Sequence, residues 1–228
     1  MNTSSNAYTV SYVAVMVIIV AALLAVTAGS LSEKISKNKE IDNKMQVLTS
    51  LNVAADFDNA EELYAKYVKR EIPFEGEKSF KVLKKIIFEC EKDGKTYFVL
   101  PQEGAGLWGP IWGYLALESD KNTIYGAYFS HKGETPGLGA EISTPKFQSQ
   151  FVGKHIFRDG NLVSVAVVKP GKVAEGKDYV DGIGGGTITS VRLHSSQQQV
   201  RESARRTLQK SLCPTATYTL LRSLWALI

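Results

Sequence analysis

The sequence of 228 residues predicts an α+β protein, in which one N-terminal transmembrane helix precedes a single domain with an antiparallel sheet flanked by helices. Three observations predict this class: an uncharged apolar run at the N-terminus, strand-like segments joined by short turn sequences, and segments with helical spacing of apolar residues. The chain beyond the apolar run is long enough to close one domain core and too short for two large domains.

The first predicted element is a membrane anchor over residues 1–31. No charged side chain occurs from Met1 to Ser32, and Tyr8 to Gly29 is a run of 22 residues made almost entirely of apolar types. That length is enough to cross a bilayer. The alternative is a cleavable signal peptide ending near Val26-Thr27-Ala28, but no Lys or Arg precedes the run, so a retained anchor is favoured.

The residues alone leave the side of the membrane open. Four lysines follow the anchor, Lys34, Lys37, Lys39 and Lys44. The positive-inside tendency would keep such a segment in the cytoplasm.

Two helical segments follow the anchor. Ile41, Met45 and Leu48 recur at helical intervals and predict a helical stalk over residues 32–55. A capping sequence at Asp58–Glu61 then opens a second helix, which is predicted to run to the stop at Pro73.

The middle of the chain has the spacing of a β-sheet. Two hairpins are predicted, one from Val82–Cys90 with Thr96–Leu100 and one from Ile111–Leu117 with Thr123–Phe129. A helix at about Lys146–Val152, with Phe147 and Phe151 four residues apart, and a further strand at Leu162–Val168 complete this part of the domain.

The composition changes abruptly at Ser190. Residues 191–228 hold no glycine, no aspartate and five of the seven arginines of the chain. One interpretation is a basic amphipathic tail, carrying Arg201, Arg205 and Arg206, that touches the membrane surface or a partner. The favoured interpretation is a reading-frame error, because the change falls within a few residues and the segment shows no clear periodicity.

Several classes of function are disfavoured. The net charge of +4 is scattered rather than gathered into a basic stripe, so no nucleic-acid partner is predicted. Cys90 and Cys213 form neither a disulfide framework nor a CxxC signature, and the three histidines lack the spacing of metal ligands, so no metal site is predicted. Cys90 is interpreted as a small buried apolar residue.

Three glycine-rich segments are the candidates for chemistry: Gly104–Tyr114, Gly133–Gly139 and Gly182–Ser190. None has the spacing of a nucleotide-binding loop. Three glycines precede Thr187, so its hydroxyl is open to a large donor, and neighbouring amides could hold a phosphate. The alternative, favoured by the residues alone, is an ordinary turn in which Thr187 and Thr189 are strand residues.

The motifs resemble a known family. Gly106–Tyr114, Gly133–Gly139 and Asp181, six positions before Thr187, together resemble the NqrC family, the C subunits of the sodium-translocating NADH:quinone reductases. The resemblance runs from the anchor to about Ser190. It implies an FMN-binding domain over residues 56–190, with FMN joined to Thr187 by a phosphoester bond that a separate flavin transferase makes.

The resemblance also assigns site residues. Asp181, Gly185 and Thr189 match the family motif, whereas Gly184 stands where the motif has Ser or Thr and Gly186 where it has Ala. Attachment efficiency at Thr187 is therefore open. The wall beside the flavin ring is implied to be the second glycine-rich segment, so the cofactor-binding set is Thr187, Asp181, Gly185, Gly186, Thr189, Glu134, Thr135, Gly137, Leu138 and Gly139.

The implied role is an electron relay without acid–base chemistry, so no catalytic residue is predicted. The partners would be the other members of an assembly of six subunits, the flavin transferase and membrane lipid, with the domain on the periplasmic side of the bacterial inner membrane. The alternatives are the G subunit of the Rnf electron-transport complex, which shares the patterns, and an anchored binding module without cofactor. Trp108, Trp112 and Tyr114 are expected in the core rather than stacked on flavin.

Overall fold

The structure, a computed structural model, describes residues 6–74, 85–158 and 161–186, with only the backbone described at 161 and 162. The chain forms two compact units, which divide between Asn43 and Lys44. The predicted boundaries at residues 31, 55 and 190 remain predictions.

The N-terminal helix, α1, runs without a break over Asn6–Ser50, which is 45 residues. Its first part is long and apolar enough to cross a membrane, judged by length and composition. The predicted helical stalk is confirmed as far as Ser50, where α1 ends.

The second helix, α2, is shorter than predicted. It covers Ala60–Tyr67, and the next residues, Val68–Pro73, form strand β1. The prediction of a helix up to Pro73 is wrong from Val68 onward, because this segment pairs with the next strand and a salt bridge of 2.6 Å joins Arg70 to Glu89 across the pair. Tertiary pairing here overrides the local helical spacing.

The main sheet has five strands in the order β1-β2-β3-β4-β5, and every neighbouring pair is antiparallel. The remaining strands are β2 (Ile86–Lys92), β3 (Lys95–Ala105), β4 (Pro110–Leu117) and β5 (Ile124–His131). Both predicted hairpins are confirmed, although residues 82–84 of the first lie outside the described part. The turn at Asp93-Gly94 uses positive φ at both residues, 53° and 72°.

Both faces of the sheet are buried. Alternate side chains such as Leu100, Leu115 and Phe129 form a core with Phe147 and Phe151 on one face. The other alternate residues form a second core on the opposite face, together with Val47 and Leu51 at the end of α1; its sheet members include Phe88, Val99 and Tyr114. Burial on both faces explains why the strands are so rich in apolar residues.

Short elements cover the first of these faces. They are a 3₁₀ helix at Gly139–Ser143, α3 at Pro145–Gln148, a 3₁₀ turn at Ser149–Phe151, and strands β6 (Phe157–Arg158), β7 (Asn161–Leu162), β8 (Ala166–Val168) and β9 (Tyr179–Asp181). The helix predicted near Lys146–Val152 is present but split. The single strand predicted over Leu162–Val168 is wrong, because the chain turns at Ser164, where φ is 60°.

Candidate functional site

The first glycine-rich segment is the hairpin turn between β3 and β4. The Gly106 amide donates to the Gly109 carbonyl oxygen at 2.7 Å, and the turn leaves Leu107 and Trp108 in solvent. Trp108 is 70% exposed. The expectation that all three aromatics lie in the core is therefore wrong for Trp108, which occupies the tip of a turn rather than a strand.

The other two aromatics of this segment belong to the second core. Tyr114 is 3% exposed, and Trp112 is half-buried and packs against the same cluster. The indole nitrogen of Trp112 donates to Gln46 Oε1 at 3.1 Å.

Glu134 joins the first glycine-rich segment to the second. Its side chain is buried, and its Oε1 accepts a hydrogen bond of 2.9 Å from the Trp108 amide. Its own amide donates to His131 Nδ1 at 3.2 Å. A Cβ added at Gly106 would lie 2.7 Å from the backbone carbonyl oxygen of Gly109 and would also overlap Glu134 Oε1, so the turn requires glycine where the carboxylate meets it.

The second segment continues as a compact turn. The amides of Leu138 and Ala140 both donate to the Thr135 carbonyl oxygen, at 3.1 and 3.2 Å. Gly137 has a φ of 73°, which favours glycine, and its amide donates to Glu141 Oε1 at 3.2 Å. These bonds fix the backbone from Thr135 to Gly139 and leave the Leu138 side chain 41% exposed.

The third segment leaves the end of β9, which pairs in parallel with β8. The Asp181 amide donates to Gln150 Oε1 at 2.9 Å, and Gln150 Nε2 donates back to the Asp181 carbonyl oxygen at 3.4 Å. The Gly182 amide then donates to the Val168 carbonyl oxygen at 2.6 Å. The backbone at Asp181 is therefore held in place, while its carboxylate is exposed.

Gly185 and Gly186 pack directly on the second segment. A Cβ on Gly186 would lie 3.0 Å from the carbonyl carbon and oxygen of Leu138 and 3.1 Å from the Gly139 nitrogen. A Cβ on Gly185, where φ is 76°, would lie 2.6 Å from Leu138 Cδ2. The neighbouring Gly184 differs, because no atom of the residues that the structure describes lies within 4 Å of its Cβ position.

We refer to residues 106–109, 133–139 and 182–186 as the loop cluster. In the structure, six of the predicted site residues are linked through close packing or hydrogen bonds within the loop cluster. They are Glu134, Thr135, Leu138, Gly139, Gly185 and Gly186. Thr187 and Thr189 lie outside the described residues. Sequence reasoning missed Gln150, for which no pattern offers a signal, and the structural need for glycine at position 106.

A second polar region lies at the start of β9. A cavity of about 280 Å³ is lined by Asn122, His155, Phe157, Arg158, Val163, Lys177 and Asp178. Within it, Asp178 Oδ2 accepts from the His155 amide at 2.7 Å and lies 3.1 Å from His155 Nδ1.

Cys90 is a core residue, as predicted. It is fully buried in the second core, and burial, with a smaller contribution from the charge of Glu89, raises the pKa of its thiol to about 12. The thiol is therefore protonated and unreactive at neutral pH.

A known protein family matches the part of the chain that contains the loop cluster. Residues 106–200 match the family described as the FMN-binding domain, a match that includes the loop cluster and ends ten residues beyond Ser190. The chain is 42% identical over 92 residues to the C subunit of the Na(+)-translocating NADH-quinone reductase of Vibrio anguillarum, covering 40% of this chain and 36% of that protein. It thus matches about a third of the length of that relative.

Two longer matches extend the likeness. The Haemophilus ducreyi protein of the same name is 27% identical over 230 residues, covering 86% of this chain and 89% of the relative. The corresponding protein from Parabacteroides distasonis, for which there is a crystal structure, is 44% identical in sequence and matches the fold with a TM-score of 0.67. The match covers 76% of this chain and 92% of that one. The chain therefore belongs to the NqrC family, the C subunits of the Na(+)-translocating NADH-quinone reductases.

Proposed function

We propose that this chain is the membrane-anchored, electron-carrying subunit of a sodium-translocating NADH:quinone reductase and that it holds FMN through a phosphoester bond to Thr187. The observation that carries the proposal is the contact of Gly185 and Gly186 with Leu138 and Gly139. This contact fixes the backbone immediately before Thr187, inside the segment that matches the FMN-binding domain.

The described residues fit a bulky group at this place. Among the described residues, no atom lies within 4 Å of the Gly184 Cβ position, while Gly185 and Gly186 are held against the backbone of the second segment. On the Gly184 side, the described part of the chain therefore leaves room for a ligand, and the other side of the loop is fixed. A hydroxyl that directly follows such a loop is accessible to a large donor, and the glycine amides can approach a phosphate closely.

The two departures from the family motif differ in their structural cost. A serine at position 184 would enter open space, so its absence costs only a hydroxyl group. The Cβ of an alanine at position 186 would lie 3.0 Å from the Leu138 carbonyl group. Glycine at this position therefore allows the second and third glycine-rich segments to approach each other closely. Gly186 is thus suited to this chain's own packing.

Residues of the loop cluster would hold the cofactor by position. The turn from Thr135 to Gly139 offers one wall, with Leu138 as its exposed apolar surface, and Gly137 marks its tightest bend. Asp181 and Thr189 flank the attachment residue in sequence. FMN, when bound, supplies reversible transfer of single electrons, and the protein supplies position, polarity and protection from side reactions.

The proposal extends to location and partners. The apolar part of α1 would anchor the chain in the bacterial inner membrane as a single span, with the domain on the periplasmic side. The other subunits of the complex would oxidise NADH and reduce quinone. A flavin transferase would draw the flavin-bearing phosphoryl group from an activated donor of the flavin dinucleotide class and join it to the Thr187 oxygen. The diphosphate bond of the donor would break as the phosphoester forms, and the nucleoside monophosphate would leave with the hydroxyl proton.

The test is to co-express the full-length chain with a flavin transferase and to measure its intact mass. The expected result is one added FMN per chain, with in-gel flavin fluorescence that survives denaturation. Thr187→Ala should abolish both signals. Thr96→Ala, in β3 and outside the loop cluster, is the matched control and should keep the covalent flavin, because it leaves the attachment hydroxyl and the loop cluster in place.

Two outcomes would overturn the proposal. A wild-type chain that stays colourless beside an active transferase would make it an anchored module without covalent flavin. A flavin band that persists in Thr187→Ala would move the attachment elsewhere.

A further inference from the structure

We propose that Glu134 is a positioning residue, whose buried carboxylate fixes the Leu107–Trp108 turn beside the Thr135–Gly139 turn so that the Trp108 indole borders the attached flavin. The inference rests on the proposed function, because the flavin is the group that Trp108 would border. It assigns Glu134 an action through Trp108 rather than a direct bond to the cofactor.

The geometry at Glu134 supports this role. The carboxylate is 5% exposed, although a glutamate in a turn normally extends into water. It accepts a hydrogen bond of 2.9 Å from the Trp108 amide. The backbone of Glu134 is held as well, because its amide donates to His131 Nδ1.

The glycine at position 106 shows how closely the carboxylate fits. A Cβ there would overlap Glu134 Oε1 and would lie 2.7 Å from the Gly109 carbonyl oxygen. The other glycine of the turn has no such constraint. A Cβ on Gly109 would meet only Lys132 Cβ, at an ordinary distance of 3.6 Å. The Glu134 carboxylate therefore occupies a space that is left by the missing side chain of Gly106.

The consequence of this contact is the placement of an exposed indole. The Trp108 side chain is 70% exposed, although the Trp108 amide is hydrogen-bonded to the buried side chain of Glu134. The carbonyl oxygen of Trp108 lies 3.9 Å from the Cβ position of Gly133, so the turn stays next to the second segment. That same segment contacts Gly185 and Gly186 through Leu138, just before Thr187. Large exposed aromatic surfaces are suited to stacking on planar ligands.

The first test measures the contact without flavin. In the full chain produced without transferase, hydrogen exchange at the 106–109 turn should be at least about tenfold faster in Glu134→Ala than in wild type, because the acceptor of the Trp108 amide is lost. Glu134→Gln keeps an oxygen acceptor and should restore protection. Gly106→Ala should reproduce the effect of Glu134→Ala, whereas Gly109→Ala is the matched control and should not.

The second test measures the flavin itself. After co-expression with the transferase, Trp108→Phe and Glu134→Ala should both raise the fluorescence of the attached flavin, because an adjacent indole quenches it. Glu134→Gln should match wild type in fluorescence and in visible absorption. A merely structural role of Glu134 would leave the flavin spectra unchanged once the folded fraction is equal.

The results separate this inference from the proposed function. Wild-type protection of the turn in Glu134→Ala overturns the contact. Flavin spectra that change in Glu134→Gln as much as in Glu134→Ala, or that do not respond to Trp108→Phe, overturn the positioning role in favour of a direct bond or none. A wild-type chain without covalent flavin would instead refute the proposed function, and the exchange result in the flavin-free chain would be unaffected.

Discussion

The five-stranded sheet and the loop cluster are held in place by opposite means. The sheet is fixed by side chains, because alternate residues of its strands fill one core on each face. The loop cluster is fixed by the absence of side chains, because Gly106 and Gly186 let a carboxylate and a backbone carbonyl come close. Deleting buried side chains should therefore damage the sheet, while adding a single methyl group at the closely packed glycines should damage the loops.

The two regions also separate stability from function. Phe129 is fully buried against the rings of Phe147 and Phe151, with ring centroids 6.2 and 5.1 Å away. Trp108 is an aromatic residue of the loop cluster and stands mostly in solvent. Two aromatic residues thus have different tasks, one in holding the fold and the other in offering a surface.

The largest expected effect is the difference in stability between deleting the Phe129 side chain and deleting the Trp108 side chain. Phe129→Ala should lower the free energy of unfolding by about 3–5 kcal/mol, because it leaves a cavity in the core. Trp108→Ala should change it by less than about 0.5 kcal/mol, because the side chain is exposed. Urea unfolding of the full chain in detergent, followed by circular dichroism, measures both. Equal losses would contradict the division between sheet and loops.

A smaller effect is expected from adding a methyl group to neighbouring glycines of the loop cluster. Gly185→Ala should cost about 1–3 kcal/mol, because a φ of 76° strains an alanine and its Cβ would press on Leu138 Cδ2. Gly184→Ala should be within about 0.5 kcal/mol of wild type, because its Cβ enters open space. The same unfolding measurement applies.

The Leu138 contact can be tested separately from the strain. In Gly185→Ala with Leu138→Ala, part of the loss should be recovered relative to the sum of the two single variants, since the overlapping Cδ2 is gone. Strict additivity of the two losses would show that the contact does not limit this loop.

The sheet could be predicted from the sequence because the pattern of its side chains determines it. The runs Ile111–Leu117 and Thr123–Phe129 carry apolar residues that the period of a strand assigns to faces, and Asp93-Gly94 gives the turn chemistry. The segment Val68–Pro73 was predicted as helix, because its spacing also suits a helix and only the partner strand decides between the two.

The glycines show where the segments of the loop cluster lie in the sequence, but they do not predict that these segments contact one another. The three segments are distant in sequence, and the contacts between them use a backbone carbonyl of Leu138 and one oxygen of Glu134. Nothing in the residue types shows that a glutamate beside a glycine-rich turn is buried, since most glutamates lie in water. The exchange of hydrogen bonds between Gln150 and Asp181 is equally invisible in the sequence.

The smallest expected effect concerns Asp178, at the start of β9, the strand that leads into the loop cluster. Burial by itself raises the pKa of the Asp178 carboxyl, but hydrogen bonds from the His155 amide and ring, with the positive charges of His155 and Lys154, outweigh it and hold the pKa below its ordinary value. The ionised form therefore stabilises the folded chain. This contribution is present above the pKa of an unfolded aspartate, about 3.9, and is lost as the pH falls through the lower folded value.

Asp178→Asn should therefore reduce the free energy of unfolding by less than about 1 kcal/mol at pH 7, since the Asp178 side chain is 34% exposed and water screens the pair. The difference from wild type should shrink as the pH falls below about 4 and should disappear once the pH lies below the folded pKa of Asp178, where the wild-type carboxyl is also neutral. Unfolding midpoints measured from pH 2 to pH 7 test this. A difference that stays constant over that range would assign the effect to hydrogen-bond geometry rather than charge. The contacts of Gly185 with Leu138 should survive the substitution, because they depend on packing at the other end of the strand.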